Sequence, residues 1–422
     1  MKKVLSCILA LVMLLACLPM TLGLADEKVE ITYMSWNTED SYAKQIVDAF
    51  NASQDRIHVN YVSEATQGDA FQSKVLTLLA AEQGIDVLGI YNNELLQRYM
   101  DLGALAPLKE LMATAQYDPS GLGACLSQLE VNGEYYSLPH RKSVEVLYYN
   151  KEILDEAGVE YPVQLTWDEF TELAKKLTFT RADGRKCVGA GGDLRFYATT
   201  ATHALTAQYG EYVTDDELPH FKGCLERLNK IFNVDKSCTD FAEMLAMGNA
   251  GQTEVFVGGE MALFLSGDFM LSVLASKADD IKFEWNVAYL PYDPEGMEPG
   301  TSYGNVTSTA ITSFSQHKAE AFEFLSYLCS QPGAKIIAST GTLPAYSDEE
   351  VQNAFRASQD ASKNVDVFTT SNPMDATIHH AKSAELVEMQ RAEVEMMLIG
   401  EQDVETTFAN WDAQRREILA AE

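Results

Sequence analysis

The chain has 422 residues, enough for two or three domains. Its 46% hydrophobic and 22% charged content is that of a folded soluble protein, which excludes a largely disordered chain and a polytopic membrane protein. A net charge of −31 repels phosphate backbones and anionic lipid headgroups, so it argues against nucleic-acid binding and suits a neutral or cationic small ligand better than an anion.

The start reads as a secretory leader. Lys2 and Lys3 form the charged region, Val4 to Leu18 the apolar core, and Gly23-Leu24-Ala25 the small residues that place cleavage after Ala25. A rival is a lipoprotein site at Leu14-Leu15-Ala16-Cys17, with lipid on Cys17. The residues after it, Leu18, Pro19 and Met20, are not the small polar tether such a site usually has. The leader is short for a membrane span, and no other stretch is long and apolar enough to cross a bilayer. Cys125, Cys187, Cys224, Cys238 and Cys329 follow Ala25, an odd and widely spaced set with no C-x-x-C, which is not a disulfide framework. Buried free thiols are the preferred reading; a Cys224–Cys238 pair is the alternative.

Val29 to Tyr33 alternates as a strand and runs into the loop Trp36-Asn37-Thr38-Glu39-Asp40. A helix over 41–52 follows, then a strand at Ile57, Val59 and Tyr61, a helix over 69–82, a buried strand over 86–91 and a helix over 94–100. Strand and helix in alternation give a parallel α/β lobe, and in such sheets ligands sit beyond the carboxyl ends of the strands. Trp36, Asn37 and Glu39 stand there on the first strand; Tyr91, Asn92 and Asn93 stand there on the third.

Residues 133–178 are dense in local signals. Val144, Val146 and Tyr148 alternate in a strand, Asn150 caps a short helix to Ala157, and Gly158 suits its left-handed C-terminal turn. Thr166-Trp167-Asp168-Glu169 is a capping box opening a helix to Leu177, with Lys175 and Lys176 in its last turn as the helix dipole prefers. Gly189 to Asp193 reads as a flexible loop leading to Arg195, Phe196 and Tyr197, and helices are expected at 198–208, 219–233 and 240–248. Val287 to Leu290 is a strand ending at Pro291; Ser308 to Thr312 is another, preceded by Tyr303-Gly304-Asn305. Further helices are expected over 318–330, 332–340, 348–358, 384–399 and 403–419.

The order Gly133, Tyr136, Pro139, then Tyr148-Tyr149-Asn150-Lys151, Ala157-Gly158 and Thr166-Trp167-Asp168-Glu169 resembles the carbohydrate-binding branch of the extracellular solute-binding proteins of ABC importers. Gly258 to Phe269 is similar to that family's "G-x-x-A-M…G-x-W" run, with Leu263 in the place of the Met and Phe269 in that of the Trp, and Gly341 to Ala345 matches its "G-x-x-P-A" loop. The resemblance covers nearly the whole mature chain. It implies an α/β fold of two lobes with a hinge and a ligand cleft between them. Lobe 1 would be 26–141 plus 292–346, and lobe 2 would be 142–291 plus 347–422, with crossings near 140–143, 288–292 and 346–350. It implies a monomeric receptor that closes on a carbohydrate and docks on the transmembrane subunits of a permease, with no cofactor and no reaction.

The aromatic residues at the strand ends suit stacking on a pyranose face. Trp36, Tyr91 and Phe269 are the expected stacking residues, with Tyr197 and Tyr303 as further contacts and Arg195 as a ligand clamp or an ion-pair partner. Glu39 suits hydroxyl recognition or helix capping equally. Enzyme motifs such as H-E-x-x-H, G-x-S-x-G and the Walker A sequence are absent from the sequence. Two rivals stand beside the sugar receptor. One is a receptor for a polyamine or another non-sugar solute, favoured by the negative charge. The other is a secreted carbohydrate-active enzyme, which needs a carboxylate pair at catalytic distance.

Overall fold

The computed structural model describes residues 28–37, 41–64, 69–182, 184–192, 209, 211–248, 251–374 and 382–421. Strands and helices alternate from the start. Val29–Ser35 (β1), Ile57–Ser63 (β2) and Val87–Ile90 (β3) are separated by helices Tyr42–Ser53 and Asp69–Ala81. The alternating apolar residues of β1 and β2 place Ile31, Tyr33, Ile57 and Val59 in one core, against Ile46, Val47 and Phe50 of the first helix. After the small hairpin Glu130–Val131 (β4) and Glu134–Tyr135 (β5), Leu138–Lys142 (β6) joins the same sheet.

The second sheet is built from Glu145–Asn150 (β7), Phe179–Thr180 (β8), Lys186–Gly192 (β9), Met261–Gly267 (β10) and Trp285–Tyr289 (β11). Thr301–Tyr303 (β12) pairs with Asn372–Met374 (β14), and Val306–Ile311 (β13) returns to the first sheet. The orders are β2-β1-β3-β13-β6 in lobe 1 and β11-β7-β10-β9-β8 in lobe 2. Each lobe therefore has its own sheet, the two-lobe α/β architecture expected, and beside the core of each lobe a third cluster joins Val146, Tyr148 and Phe355 to Ala334, Ala338 and Leu343. The capping box forms as written: Thr166 Oγ1 accepts from the Glu169 amide at 3.1 Å, and the Thr166 amide donates to Glu169 Oε2 at 2.8 Å.

Three segments pass between the lobes side by side. The first is Ser143-Val144, between β6 and β7. The second is Gly304-Asn305, between β12 and β13. The third is 343–347, leading to helix Glu349–Ala357. The Ser143 amide donates to the Asn305 carbonyl at 2.9 Å, and the Lys142 amide donates to Leu343 at 3.2 Å. Gly304 is required here, because a Cβ would stand 1.9 Å from the Ser143 carbonyl oxygen.

The return crossing thus lies at Gly304-Asn305, and the boundary expected near 288–292 is corrected. β11 pairs with β7, Tyr292 and Met297 pack in the lobe 2 core, and β12 pairs with β14, so residues through 303 stay with lobe 2. Gly189 to Gly192 also differs from expectation, being strand rather than loop. Its glycines answer close packing, since a Cβ on Gly189 would stand 1.7 Å from the Ala174 carbonyl oxygen. The expected helix at 198–208 lies outside the described residues. Helices that were not anticipated include Gly251–Val257 and Met270–Ser276, and the short Lys109–Thr114, Gly123–Ser127 and Asp366–Thr370. Cys125, Cys187, Cys224, Cys238 and Cys329 are buried free thiols, and burial raises the Cys224 thiol to about 11. No helix among the described residues is long and apolar enough to cross a membrane.

Candidate functional site

Both sheets aim the same ends of their strands at the hinge. In lobe 1, β1 and β3 run parallel, and β13 lies antiparallel to β3 with Ser308 opposite Ile90. The carboxyl ends of β1, β3 and β6 therefore share one edge. In lobe 2, β9 and β10 are parallel, and Gly267 at the end of β10 faces Glu145 at the start of β7. The carboxyl ends of β1 and β3 lie on the side where β6 passes to lobe 2, the carboxyl end of β10 lies where β7 begins, and the space these ends border is the candidate ligand cleft.

On the lobe 1 side an aromatic cluster forms the wall. Trp36 meets Tyr91 edge-on at 5.2 Å between ring centroids and Phe71 at 5.9 Å, and Gly89 lies beneath it because a Cβ there would come within 3.0 Å of the indole. Trp36 is only 7% exposed, so it braces Tyr91 more than it presents an open face. Tyr91 is half-buried, and its hydroxyl accepts from Gln72 Nε2 at 2.6 Å. Asn37 is held by Ser35 Oγ, which accepts from its Nδ2 at 2.8 Å, and its carbonyl accepts from Ser63 Oγ at 2.7 Å. Asn92 caps helix Asn93–Asp101 by accepting from the Leu95 amide at 2.9 Å.

On the lobe 2 side Phe269 is 44% exposed, and its ring fits against Gly267, where a Cβ would stand 2.5 Å from it. Two residues expected in the site are buried. Tyr303 has no exposed surface and packs in the lobe 2 core, while Asn93 is buried at the first turn of its helix. Glu39, Arg195 and Tyr197 lie outside the described residues.

The floor of the cleft holds residues that the sequence pattern did not single out. His140 is buried; its Nδ1 lies 3.0 Å from Thr309 Oγ1 and its Nε2 3.2 Å from the Tyr42 hydroxyl. Burial, reinforced by the adjacent Arg141 charge, lowers its pKa from 6.5 to about 3, so the imidazole is a neutral brace. Arg141 donates from Nη2 to Asp268 Oδ2 at 3.3 Å, linking β6 of lobe 1 to the residue after β10 in lobe 2. Asp268 Oδ1 accepts from Ser143 Oγ at 2.5 Å and from the Val144 amide at 3.2 Å. Three cationic-type residues in succession, His140-Arg141-Lys142, interrupt an acidic chain beside the hinge. That was the available signal. Among the described residues no group of His, Cys, Asp and Glu could hold a metal ion.

Residues 35–335 match the family described as bacterial extracellular solute-binding protein. The chain belongs to that family. Among relatives of this solute-binding protein is the mannitol-binding protein of Pseudomonas aeruginosa, 26% identical over 344 residues that cover 76% of this chain and 74% of the relative. A sugar transporter from Rhizobium etli, solved in an open conformation, superposes with a TM-score of 0.82 at 21% identity, covering 93% of this chain and all of that one (100%). An ABC substrate-binding protein from Listeria monocytogenes, solved with cycloalternan, gives a TM-score of 0.74 at 21% identity over 94% of this chain and 100% of that one. These likenesses establish the two-lobe fold of the solute-binding protein.

Proposed function

We propose that this solute-binding protein is the receptor of an ABC importer, taking a neutral sugar, polyol or oligosaccharide between its lobes and delivering it to a membrane permease. The observation that carries this reading is an aromatic wall on each side of one cleft, Tyr91 braced by Trp36 on lobe 1 and the exposed Phe269 on lobe 2. Such rings pack on the C–H face of a pyranose while neighbouring polar groups fix hydroxyls. Ligand bridges the walls only when the lobes close, so binding shifts the population toward the closed form, which docks on the permease. The protein acts as a monomer, exported by its leader and either released after Ala25 or tethered through Cys17. Binding leaves the ligand chemically unchanged.

The test is calorimetric titration of residues 26–422 with mannitol, maltose, arabinobiose and raffinose, with products checked by chromatography. Micromolar or tighter binding of an intact sugar is expected. Phe269→Ala should weaken it roughly threefold to tenfold, the worth of one aromatic contact. Turnover of the sugar would replace the receptor by an enzyme. Silence on all four, with binding of spermidine, would replace the ligand class.

A further inference from the structure

Arg141 is short of partners. A guanidinium carries five N–H donors. Among the described residues, the side chain of Arg141 makes one hydrogen bond, from Nη2 to Asp268 at 3.3 Å. Its Nε is buried and donates to no group among the described residues. An unmet buried donor is costly, and such groups in native proteins call for a functional reason. The side chain is not sealed in, being 27% exposed, and it stands between the lobes at the floor of the cleft. Tyr42, which follows the Trp36-Asn37 loop, is close enough to feel its charge.

The charge balance at this floor is equally specific. Asp268 is only 4% exposed and is locked in place by Ser143 Oγ and the Val144 amide, independently of Arg141. Any group that approaches the open edge of the guanidinium therefore meets a cation already compensated by a fixed anion. A hydroxyl oxygen can accept from it without penalty. A phosphate dianion would gain one attraction and incur one repulsion from Asp268, within a chain whose net charge is −31.

We propose that Arg141 is a ligand-binding and specificity-determining residue of the cleft, donating from the exposed edge of its guanidinium to hydroxyl oxygens of a neutral polyol or sugar, while Asp268 turns the site away from phosphate esters. This rests on the receptor reading above and goes further by naming a residue and a selection rule.

The test starts from whichever sugar or polyol the wild-type chain binds. Calorimetry then compares that ligand, its monodeoxy analogues and sn-glycerol 3-phosphate on wild type, Arg141→Ala, Arg141→Lys and Asp268→Asn, with thermal melts confirming that each variant is folded. Arg141→Ala is expected to weaken binding about 30-fold or more, from the loss of charge-assisted hydrogen bonds. Arg141→Lys should recover part of the loss. One monodeoxy analogue should bind wild type at least about tenfold more weakly than the parent, yet bind Arg141→Ala as well as the parent does. That loss of discrimination is not expected of a merely structural arginine. Wild type is expected to bind sn-glycerol 3-phosphate weakly or not at all, and Asp268→Asn should gain affinity for it.

If wild type binds no sugar or polyol, the receptor reading fails and takes this one with it. If wild type binds a sugar and Arg141→Ala binds it equally well with the same analogue profile, the assignment of Arg141 alone fails. Tight binding of sn-glycerol 3-phosphate by wild type would overturn the selection rule.

Discussion

At the scale of single residues, the site is organised by what burial does to charge. His140 sits in the floor as a neutral ring because burial brings its pKa down to about 3. Its pKa in the unfolded chain is about 6.5. Between these values the unfolded chain takes up a proton that the native chain refuses, so stability falls as pH drops through that window and is unaffected by this group above it. The slope from one such group is at most about 1.4 kcal/mol per pH unit. Melting temperature followed from pH 7 to pH 4 should therefore decline less steeply in His140→Gln, which keeps one donor and one acceptor but cannot titrate. Parallel curves for the two proteins would show that His140 is not held neutral. Burial also explains why Trp36 supports the wall instead of forming its surface: Phe71, Tyr91 and the bare backbone of Gly89 enclose the indole.

At the scale of elements, β9 shows how glycine can make a strand. Helix Trp167–Lys176 presses on it so closely that Gly189 has no room for a Cβ beside the Ala174 carbonyl, whereas a Cβ on Gly191 would meet the tip of Met261 at 2.2 Å. The first obstacle is backbone and the second is the far end of a flexible side chain. Gly189→Ala should cost about 2 kcal/mol or more in urea unfolding, and Gly191→Ala distinctly less; equal costs would mean that β9 can slide away from the helix. This is also where legibility from sequence ends. The capping box at Thr166 and the caps at Asn150 and Gly158 were readable because their partners lie within a few residues. The β9 run was read as a loop because glycine signals flexibility unless its neighbours are known. The return crossing was placed near Pro291 because an apolar strand ending in proline looks the same in either lobe. What decides is that Thr301 pairs with Asn372 and Trp285 with Asn150, and such distant pairings have no local signal. Arg141 and Asp268 stand 127 residues apart, so their pairing was out of reach for the same reason, although the two-lobe fold was not.

At the scale of the whole molecule, the three passes between the lobes are not equivalent. Asp268 binds both Ser143 Oγ and the Val144 amide, and its own amide donates to the Val144 carbonyl at 3.0 Å, so the first pass is clamped to lobe 2. Gly304 of the second pass lies against that same clamped segment. Bending is thereby pushed to the lobe 1 side of Ser143, where the Arg141–Asp268 ion pair reaches across to lobe 2. Small-angle scattering should show the radius of gyration falling, on addition of the sugar identified by calorimetry, toward the about 21 Å of a compact chain of this length. Asp268→Ala releases the clamp and the ion pair together. It should broaden the unliganded distance distribution and weaken ligand affinity, because a larger share of the population must be drawn to the closed state. The effect should survive high salt, since the clamp is buried and screening acts mainly on exposed charges. A distance distribution unchanged by Asp268→Ala would place the stiffness of the hinge in the Gly304 and 343–347 passes instead. It would leave Asp268 with a role in ligand selection alone, separable from any role in motion.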